Sequence, residues 1–330
     1  MVRHIVDTRQ LKDRRFLEGL FARADEMKHA VENKQVIRKH EGKIVASLFY
    51  QPSTRTKMTF DTAAKRLGAE VIGTENAREF SSAFKGETLE HSLLAVQECF
   101  DIVVMRHDKD GAAKRAATIL NIPFINAGDG KNQHPTQALL DLYTIRQVFG
   151  RIGSLKIAFV GDIAQGRTIK SLAYLLAHLQ NNELFFVSPP QLKLPEDMRA
   201  YLIEKGAKFL ETDDLDAVIS LVDVLYVTRL QWEYVQDESQ KNLLQESYRK
   251  YQITHERANN MKDGSIIMHP LPINTSKSEG FPEIASEVDN HPRALYFRQS
   301  NNGLYVRMAL LDVLLTGPSD PLYNLILDVP

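Results

Sequence analysis

Among its 330 residues the chain has a single cysteine, Cys99. An intrachain disulfide is therefore impossible, and a thiolate zinc cluster cannot be assembled within one chain, which points to a cytoplasmic setting. No run of about 18 apolar residues is present, as a membrane span would require. The opening stretch MVRHIVDTRQLKDRRF carries no apolar segment of the kind that drives secretion. Asn274-Thr275-Ser276 matches a glycosylation sequon, but without a secretion signal it is read as a chance match. An excess of one charge is missing too. Lys+Arg number 41 against 42 Asp+Glu, a net charge of -1, so no broad field holds nucleic acid or an anionic membrane. Any anion must be bound by cations placed locally. Internal repeats and low-complexity tracts are absent. No G-x-G-x-x-G follows a strand, which leaves a dinucleotide dehydrogenase with little support.

What is present is a chain that is 43% hydrophobic and 25% charged, the balance of a soluble globular protein. Its length suits two domains of about 150 residues each. Leu11, Phe16, Leu20, Ala24 and Met27 recur at roughly helical spacing after a candidate cap at Thr8, and Ile44 to Tyr50 is an apolar run of strand length. The alternation continues with a helix from Thr56, a strand around Val71, a helix from Thr88 and a strand from Ile102 to Met105. A helix near Ala113, a strand at Phe124 to Ile125 and a long helix from Pro135 to Val148 follow. Gly150 to Gly153 reads as a break. A second series has strands at Ile157 to Val160, Leu184 to Val187, Val224 to Val227 and Ile266 to Met268, and the last helix spans about Asn302 to Leu315. The fold expected is α/β, with two domains that are each a mainly parallel sheet flanked by helices. The boundaries expected are 1-150, 151-300, and a 301-330 helical tail packing back on the first domain.

In open parallel sheets ligands gather at the carboxyl ends of strands, where helix N-termini offer free N-H groups to anions. Ser53-Thr54-Arg55-Thr56 follows one strand and opens a helical pattern. Three hydroxyls and a guanidinium there make a phosphate cradle, although simple capping beside a solvated Arg explains the tetrapeptide as well. Arg106-His107 ends another strand, and His134-Pro135-Thr136-Gln137 opens the long helix. His134 alone reads more simply as a cap or surface histidine; the repetition at matching places is what favours a site. Gly161 to Thr168 reads GDIAQGRT, close to the phosphate loop G-x4-G-K-[ST] of nucleotide triphosphatases, but Arg167 stands where the lysine belongs. Thr228-Arg229-Leu230-Gln231 and His269-Pro270-Leu271-Pro272 each follow a strand. Arg167 and Arg229 could then clamp the two carboxylates of a dicarboxylic substrate, or each could make an ordinary ion pair.

Taken in order, Ser53-Thr54-Arg55-Thr56, Lys85-Gly86-Glu87-Thr88, Met105-Arg106-His107, His134-Pro135-Thr136-Gln137, Gly166-Arg167-Thr168, Thr228-Arg229-Leu230-Gln231 and His269-Pro270-Leu271-Pro272 resemble the aspartate and ornithine carbamoyltransferase family over nearly the whole chain. The aspartate branch is favoured. Ornithine enzymes typically carry H-C-L-P and S-M-G, whereas this chain has His-Pro-Leu-Pro and no Ser-Met-Gly. The tail from Glu283 to Leu311 also resembles the aspartate branch.

The resemblance implies transfer of the carbamoyl group of carbamoyl phosphate to the α-amino group of L-aspartate, a step of pyrimidine biosynthesis, with no metal or organic cofactor. It implies that Ser53, Thr54, Arg55 and Thr56 bind phosphate, and that Arg106, His134 and Thr56 donate to the carbonyl oxygen. Gln137 and the backbone carbonyls near Leu271 and Pro272 would orient the carbamoyl NH2 and the amine. Arg167 would hold the α-carboxylate of aspartate, and Arg229 with Gln231 its side-chain carboxylate. Ser81 and Lys85 would reach in from a neighbouring chain of a homotrimer with shared sites; whether regulatory chains bind stays open.

Departures from the family pattern are specific. The family's Phe-Phe-Glu-Pro appears as Phe49-Tyr50-Gln51-Pro52, Tyr234 stands where one branch has arginine, and the loop 273-282 looks longer. Two alternatives therefore remain: a carbamoyltransferase for another amino acid or amine, and a catalytically idle homologue serving in assembly.

Overall fold

A computed structural model describes residues 2–77, 86–231, 244, 247–274 and 281–329. They form two compact units, residues 1–143 with 301–330, and residues 144–300.

The first unit is built on a five-stranded sheet. Its strands are β1 (His4–Ile5), β2 (Ile44–Phe49), β3 (Glu70–Glu75), β4 (Ile102–His107) and β5 (Phe124–Asp129), in the order β1-β5-β4-β2-β3. All its strand pairs are parallel. The central strands are near-continuous apolar runs because both faces are covered; all six residues of β5 are buried. The covering helices are α1 (Arg14–Glu32), α2 (Thr54–Arg66), α3 (Leu89–Val96), α4 (Ala112–Ile119) and the first part of α5 (Pro135–Phe149).

The second unit repeats the plan with β6 (Lys156–Val160), β7 (Glu183–Val187), β8 (Lys208–Thr212), β9 (Val224–Val227) and β10 (Ile266–Met268), in the order β10-β9-β6-β7-β8 and again all parallel. Its helices are α6 (Arg167–Leu176), α7 (Glu196–Glu204), α8 (Asp216–Ile219) and α9 (His255–Asn259). Residue 300 falls inside the last helix, α10 (Tyr296–Thr316), and residue 143 inside α5, so both helices run across the division. Among the described residues no helix is long and apolar enough to cross a membrane.

The α/β architecture with two parallel sheets is the one expected, while several local boundaries differ. The first helical segment divides in two. Asp7 caps a 3-10 turn at Thr8–Leu11, and Asp13 caps α1 through the backbone N-H of Arg15. Thr8 is no cap: its buried hydroxyl meets Gln133 Oε1 at 3.1 Å. β1 spans only two residues, and edge strand β8 is half solvated, so neither carries the apolar run by which strands are recognised. α10 starts at Tyr296, ahead of the expected Asn302, because Gln299 and Asn302 are buried rather than loop-forming.

The terminal helix is tied into the first unit by charge as well as packing. Asp312 is fully buried and takes bonds from His40 Nε2 at 2.7 Å and Lys39 Nζ at 2.8 Å, with Arg23 at 3.3 Å. Arg23 also pairs with Asp320. Burial alone would raise the Asp312 carboxyl, but the bonds from His40 and Lys39 and the Arg23 charge outweigh it and hold the pKa below the ordinary 3.8. A depressed folded-state pKa stabilises above 3.8 and loses that contribution as pH falls through the folded value. Asp312→Asn should therefore cost about 1–3 kcal/mol at neutral pH, since it removes the charge that accepts from His40 and half-exposed Lys39 and attracts Arg23. Urea unfolding at pH 7 and near pH 3 checks this: the gap between variant and parent should narrow at the lower pH. An equal gap at both would show that the carboxylate charge is not what stabilises the helix.

Candidate functional site

In the first unit the groups singled out in the sequence lie at the carboxyl ends of β2, β4 and β5. β2 pairs with β4 so that Phe49 faces Arg106, and the Tyr50 N-H donates to the Arg106 carbonyl at 2.9 Å. Ser53 occupies the N-cap position of α2 with extended backbone, yet its hydroxyl makes no capping bond. Instead it accepts from Arg106 Nη1 at 3.3 Å, while Arg106 Nε donates to Gln51 Oε1 at 3.2 Å. Thr54, Arg55 and Thr56 make the first turn of α2, whose unpaired N-H groups and dipole favour an anion. Arg55 reaches solvent, though desolvation still lowers its guanidinium pKa from the usual value. Thr56 is buried.

His134 and Gln137 are held by the turn that follows β5. The Asp129 N-H donates to Gln133 O at 3.1 Å, and Asn126 Nδ2 donates to Val6 O at 2.9 Å and Gln133 O at 3.4 Å. Pro135 then opens α5, where its missing N-H costs nothing. His134 is buried, with Thr136 Oγ1 3.5 Å from its Nδ1. Gln137 Nε2 donates to Asp141 Oδ1 at 2.9 Å, one helical turn on. A carboxylate only accepts, so this bond fixes which way the amide points.

The second unit has its own constellation, with Arg167 at the start of α6 after β6 and Arg229 and Gln231 after β9. Asp162, buried in the turn between β6 and α6, accepts from the Gln165 N-H at 3.0 Å and the Gln231 N-H at 3.1 Å. Gln231 Nε2 donates to Gln165 O at 2.6 Å, which binds the two loops together. Arg229 Nη1 donates to Leu230 O at 3.3 Å. Gly161 has φ +121°, and a Cβ there would lie 2.2 Å from Tyr248 Oη and 2.5 Å from Thr228 O. No side chain fits. Tyr248 donates to Thr228 O at 2.6 Å; burial first, then the charges of Glu283 and Asp162, raise its phenol pKa well above the ordinary value.

After β10, His269 organises the Leu271-Pro272 segment. Its Nδ1 accepts from the Leu271 N-H at 2.8 Å, so Nε2 carries the proton that it donates to buried Glu283 at 2.8 Å. Glu283 also takes the Asn274 N-H, at 3.3 and 3.2 Å to its two oxygens. Leu271 adopts φ 55°, rare for a residue with a side chain, and the Leu271-Pro272 peptide is cis.

The structure thus brings Ser53, Arg106 and Gln51 into one hydrogen-bonded set and joins Gln231 to the Arg167 turn. Ser81, Lys85 and Tyr234 lie outside the described residues. Sequence reasoning missed Asp141, Asp162 and Glu283, the carboxylates that orient Gln137, the Gln231 loop and the Leu271 segment. Asp162 alone had a signal, standing directly at a strand end. Among the described residues no group of three or more His, Cys, Asp or Glu could hold a metal.

Comparison with known proteins gives these positions a context. The family model for the aspartate/ornithine carbamoyltransferase carbamoyl-P binding domain matches residues 3–147. That for the Asp/Orn binding domain matches residues 153–314. A chloroplastic aspartate carbamoyltransferase 1 of Pisum sativum is 47% identical over 313 residues, covering 95% of this chain and 78% of that protein. The aspartate carbamoyltransferase catalytic subunit of Methanocaldococcus jannaschii is 43% identical over 95% of this chain and 98% of its own. A crystal structure of that subunit superposes with a TM-score of 0.84 over 96% of this chain and 98% of that one. The Trypanosoma cruzi aspartate transcarbamoylase, solved with N-(phosphonacetyl)-L-aspartic acid, gives 0.85 at 34% identity, covering 94% and 95% of the two chains. With both halves matched and the likeness sustained from end to end, this chain belongs to the aspartate/ornithine carbamoyltransferase family.

Proposed function

We infer that this chain is an aspartate carbamoyltransferase, which moves the carbamoyl group of carbamoyl phosphate to the α-amino group of L-aspartate and releases N-carbamoyl-L-aspartate and phosphate. One observation carries the reading beyond family membership: cationic donors cluster at strand ends in both units, Arg106 bonded to the Ser53 turn in one and Arg167 and Arg229 in linked loops of the other. An anionic first substrate and a dicarboxylic second one suit that distribution. A crystal structure of the Trypanosoma cruzi relative in complex with carbamoyl phosphate and aspartate supports the same pair.

In this reading residues 1-150 serve carbamoyl phosphate, residues 151-300 serve aspartate, and the 301-330 tail belongs with the first domain. Ser53, Thr54, Arg55 and Thr56 hold the phosphate. Arg106, His134 and Thr56 donate to the carbonyl oxygen, where charge grows as the neutral amine attacks carbon, so preorganised donors lower the barrier. The new C-N bond forms, the C-O bond to phosphate breaks, and the departing phosphate is an acceptor for the amine proton. No nucleophilic side chain, metal or organic cofactor enters these steps. Gln137 faces the carbamoyl NH2 with its carbonyl end, and the Leu271 and Pro272 carbonyls orient the amine. Arg167 takes the α-carboxylate, and Arg229 with Gln231 the side-chain carboxylate. Holding both substrates in line is worth roughly 7 to 11 kcal/mol of barrier.

Carbamoyl phosphate and a panel of amines, followed by product identification, test the reading. L-aspartate should exceed ornithine, acetylornithine and putrescine by about a hundredfold in kcat/KM, because none of those amines offers the second, side-chain carboxylate that Arg229 would pair. Equal turnover of any of those amines would sink the choice of acceptor.

Two substitutions should separate the halves of the site. Arg229→Ala should weaken aspartate use and spare carbamoyl phosphate binding, and Arg55→Ala should do the reverse, each by about 30- to 1,000-fold in the affected constant. An unchanged aspartate KM in Arg229→Ala would displace the second clamp.

The finer assembly is part of the proposal: a cytoplasmic homotrimer in which Ser81 and Lys85 complete a neighbour's site, with regulatory chains left as further partners. The plant relative is named chloroplastic, so cell fractionation decides the compartment. Arg55→Ala and Lys85→Ala chains should each be nearly inactive. Refolded together at equal amounts they should recover roughly a quarter of wild-type activity, because a site between neighbours of a cyclic trimer draws both intact residues about one time in four. No recovery on mixing would mean that each site is made by one chain.

A further inference from the structure

Arg307 lies on α10, has no role assigned above, and is 3% exposed. Its guanidinium carbon sits 5.1 Å from the centroid of the Phe60 ring, and its Nη1 donates to Thr59 Oγ1 on α2. Gly303, one turn earlier, makes the room: a Cβ there would come within 2.6 Å of Arg307 Nη1 and 3.2 Å of Leu140 Cδ2 on α5. Arg307 Nε is buried with no acceptor. Desolvation pulls the guanidinium pKa down to about 10, against the charge of Asp141. A buried cation with an unmet N-H is expensive, and apolar residues often replace buried charge at no loss of stability. Stability alone is thus a poor reason for this side chain.

Both groups that Arg307 addresses lead directly to the first unit's site. Thr59 has one hydroxyl proton. Because its oxygen receives the Arg307 bond, that proton turns to the helix carbonyls, with Arg55 O at 2.7 Å and Thr56 O at 3.1 Å. These are the backbone groups of the turn that carries the phosphate-binding side chains. On the other side Asp141, whose charge faces Arg307, accepts Gln137 Nε2 and so presents the amide oxygen to a donor such as the carbamoyl NH2.

We propose that Arg307 is a positioning residue of the transfer reaction: from inside the core it aligns the Arg55-Thr56 turn through Thr59 and the Gln137 amide through Asp141. The proposal rests on carbamoyl phosphate being the substrate of this unit. It makes one cation the common reference for the phosphate end and the carbamoyl end of that molecule. The side chain touches no substrate, and its effect is carried by the Thr59 hydroxyl it bonds and the Asp141 charge it attracts.

The test uses the full chain with three substitutions, Arg307→Met, Arg307→Lys and Thr59→Val. Thermal melting reports folding, calorimetry with carbamoyl phosphate reports binding, and initial rates with both substrates separate kcat from the aspartate KM. Arg307→Met should melt at or above the wild-type temperature yet bind carbamoyl phosphate about tenfold more weakly and lose about tenfold or more in kcat. Arg307→Lys, which keeps the charge and one donor, should restore much of kcat. Thr59→Val should fold as wild type and weaken carbamoyl phosphate by about three- to tenfold, the scale of one lost hydrogen bond. Wild-type binding and kcat in a folded Arg307→Met, or in Thr59→Val should Arg307→Met not fold, would overturn the proposal. So would losses that simply track melting temperature. A wild-type chain that binds no carbamoyl phosphate would instead remove the function on which the proposal stands.

Discussion

Parallel strand pairing fixes where chemistry can occur in this molecule. Every pair of named strands in both sheets is parallel, so successive strands must be joined by crossovers that carry the chain back to the end of the sheet where strands begin. All strands of a sheet then end on one side, and the helices that follow begin there with unpaired N-H groups. Ser53, His134 and Arg167 each sit at such a strand-to-helix junction, and Arg106 lies within the last residues of its strand. The cations are thus gathered by topology before any individual contact is considered. Covering both faces of the sheet also excludes water from the strands, so the few polar groups there must be matched one by one.

The matching is done largely by buried carboxylates one step behind the candidate binding groups. Asp162 ties the turn before Arg167 to the backbone of Gln231, Glu283 gathers His269 and Asn274, and Asp141 turns the Gln137 amide. Each accepts N-H groups that would otherwise be desolvated without a partner, a cost of about 1–3 kcal/mol apiece. The loops are therefore held in place by interactions that do not compete with a bound substrate. Gln51 fits the same pattern. As an amide it accepts from Arg106 within the first unit, without the net charge a glutamate would bring to that guanidinium.

How much of this was legible in the sequence depended on whether the signal was local. The strands Ile44–Phe49, Ile102–His107 and Val224–Val227 are apolar runs and could be read directly. So could the hydroxyl and arginine clusters at their ends, because turn and motif are contiguous. The edge strand Lys208–Thr212 could not, since half-solvated strands lose the run of apolar residues. Asp141 and Arg307 were invisible for a different reason: mid-helix charges ordinarily mark a solvated face, and the Thr59 that Arg307 bonds lies on another helix. The early start of α10 was hidden by Gln299 and Asn302, polar residues whose burial only the fold reveals. Glu283 lies in the tail that carried the family likeness, yet nothing in its neighbourhood tells that it would be buried against His269.

The solitary thiol has a practical side. Cys99 is exposed, on the short turn between α3 and β4. Because no second cysteine competes, a maleimide dye would attach at one defined point per chain, with no background mutagenesis. A fluorophore there would report on the first unit alone, so its rotational freedom could be followed as carbamoyl phosphate is titrated, while the intrinsic fluorescence of tryptophan and tyrosine stays available as an independent channel.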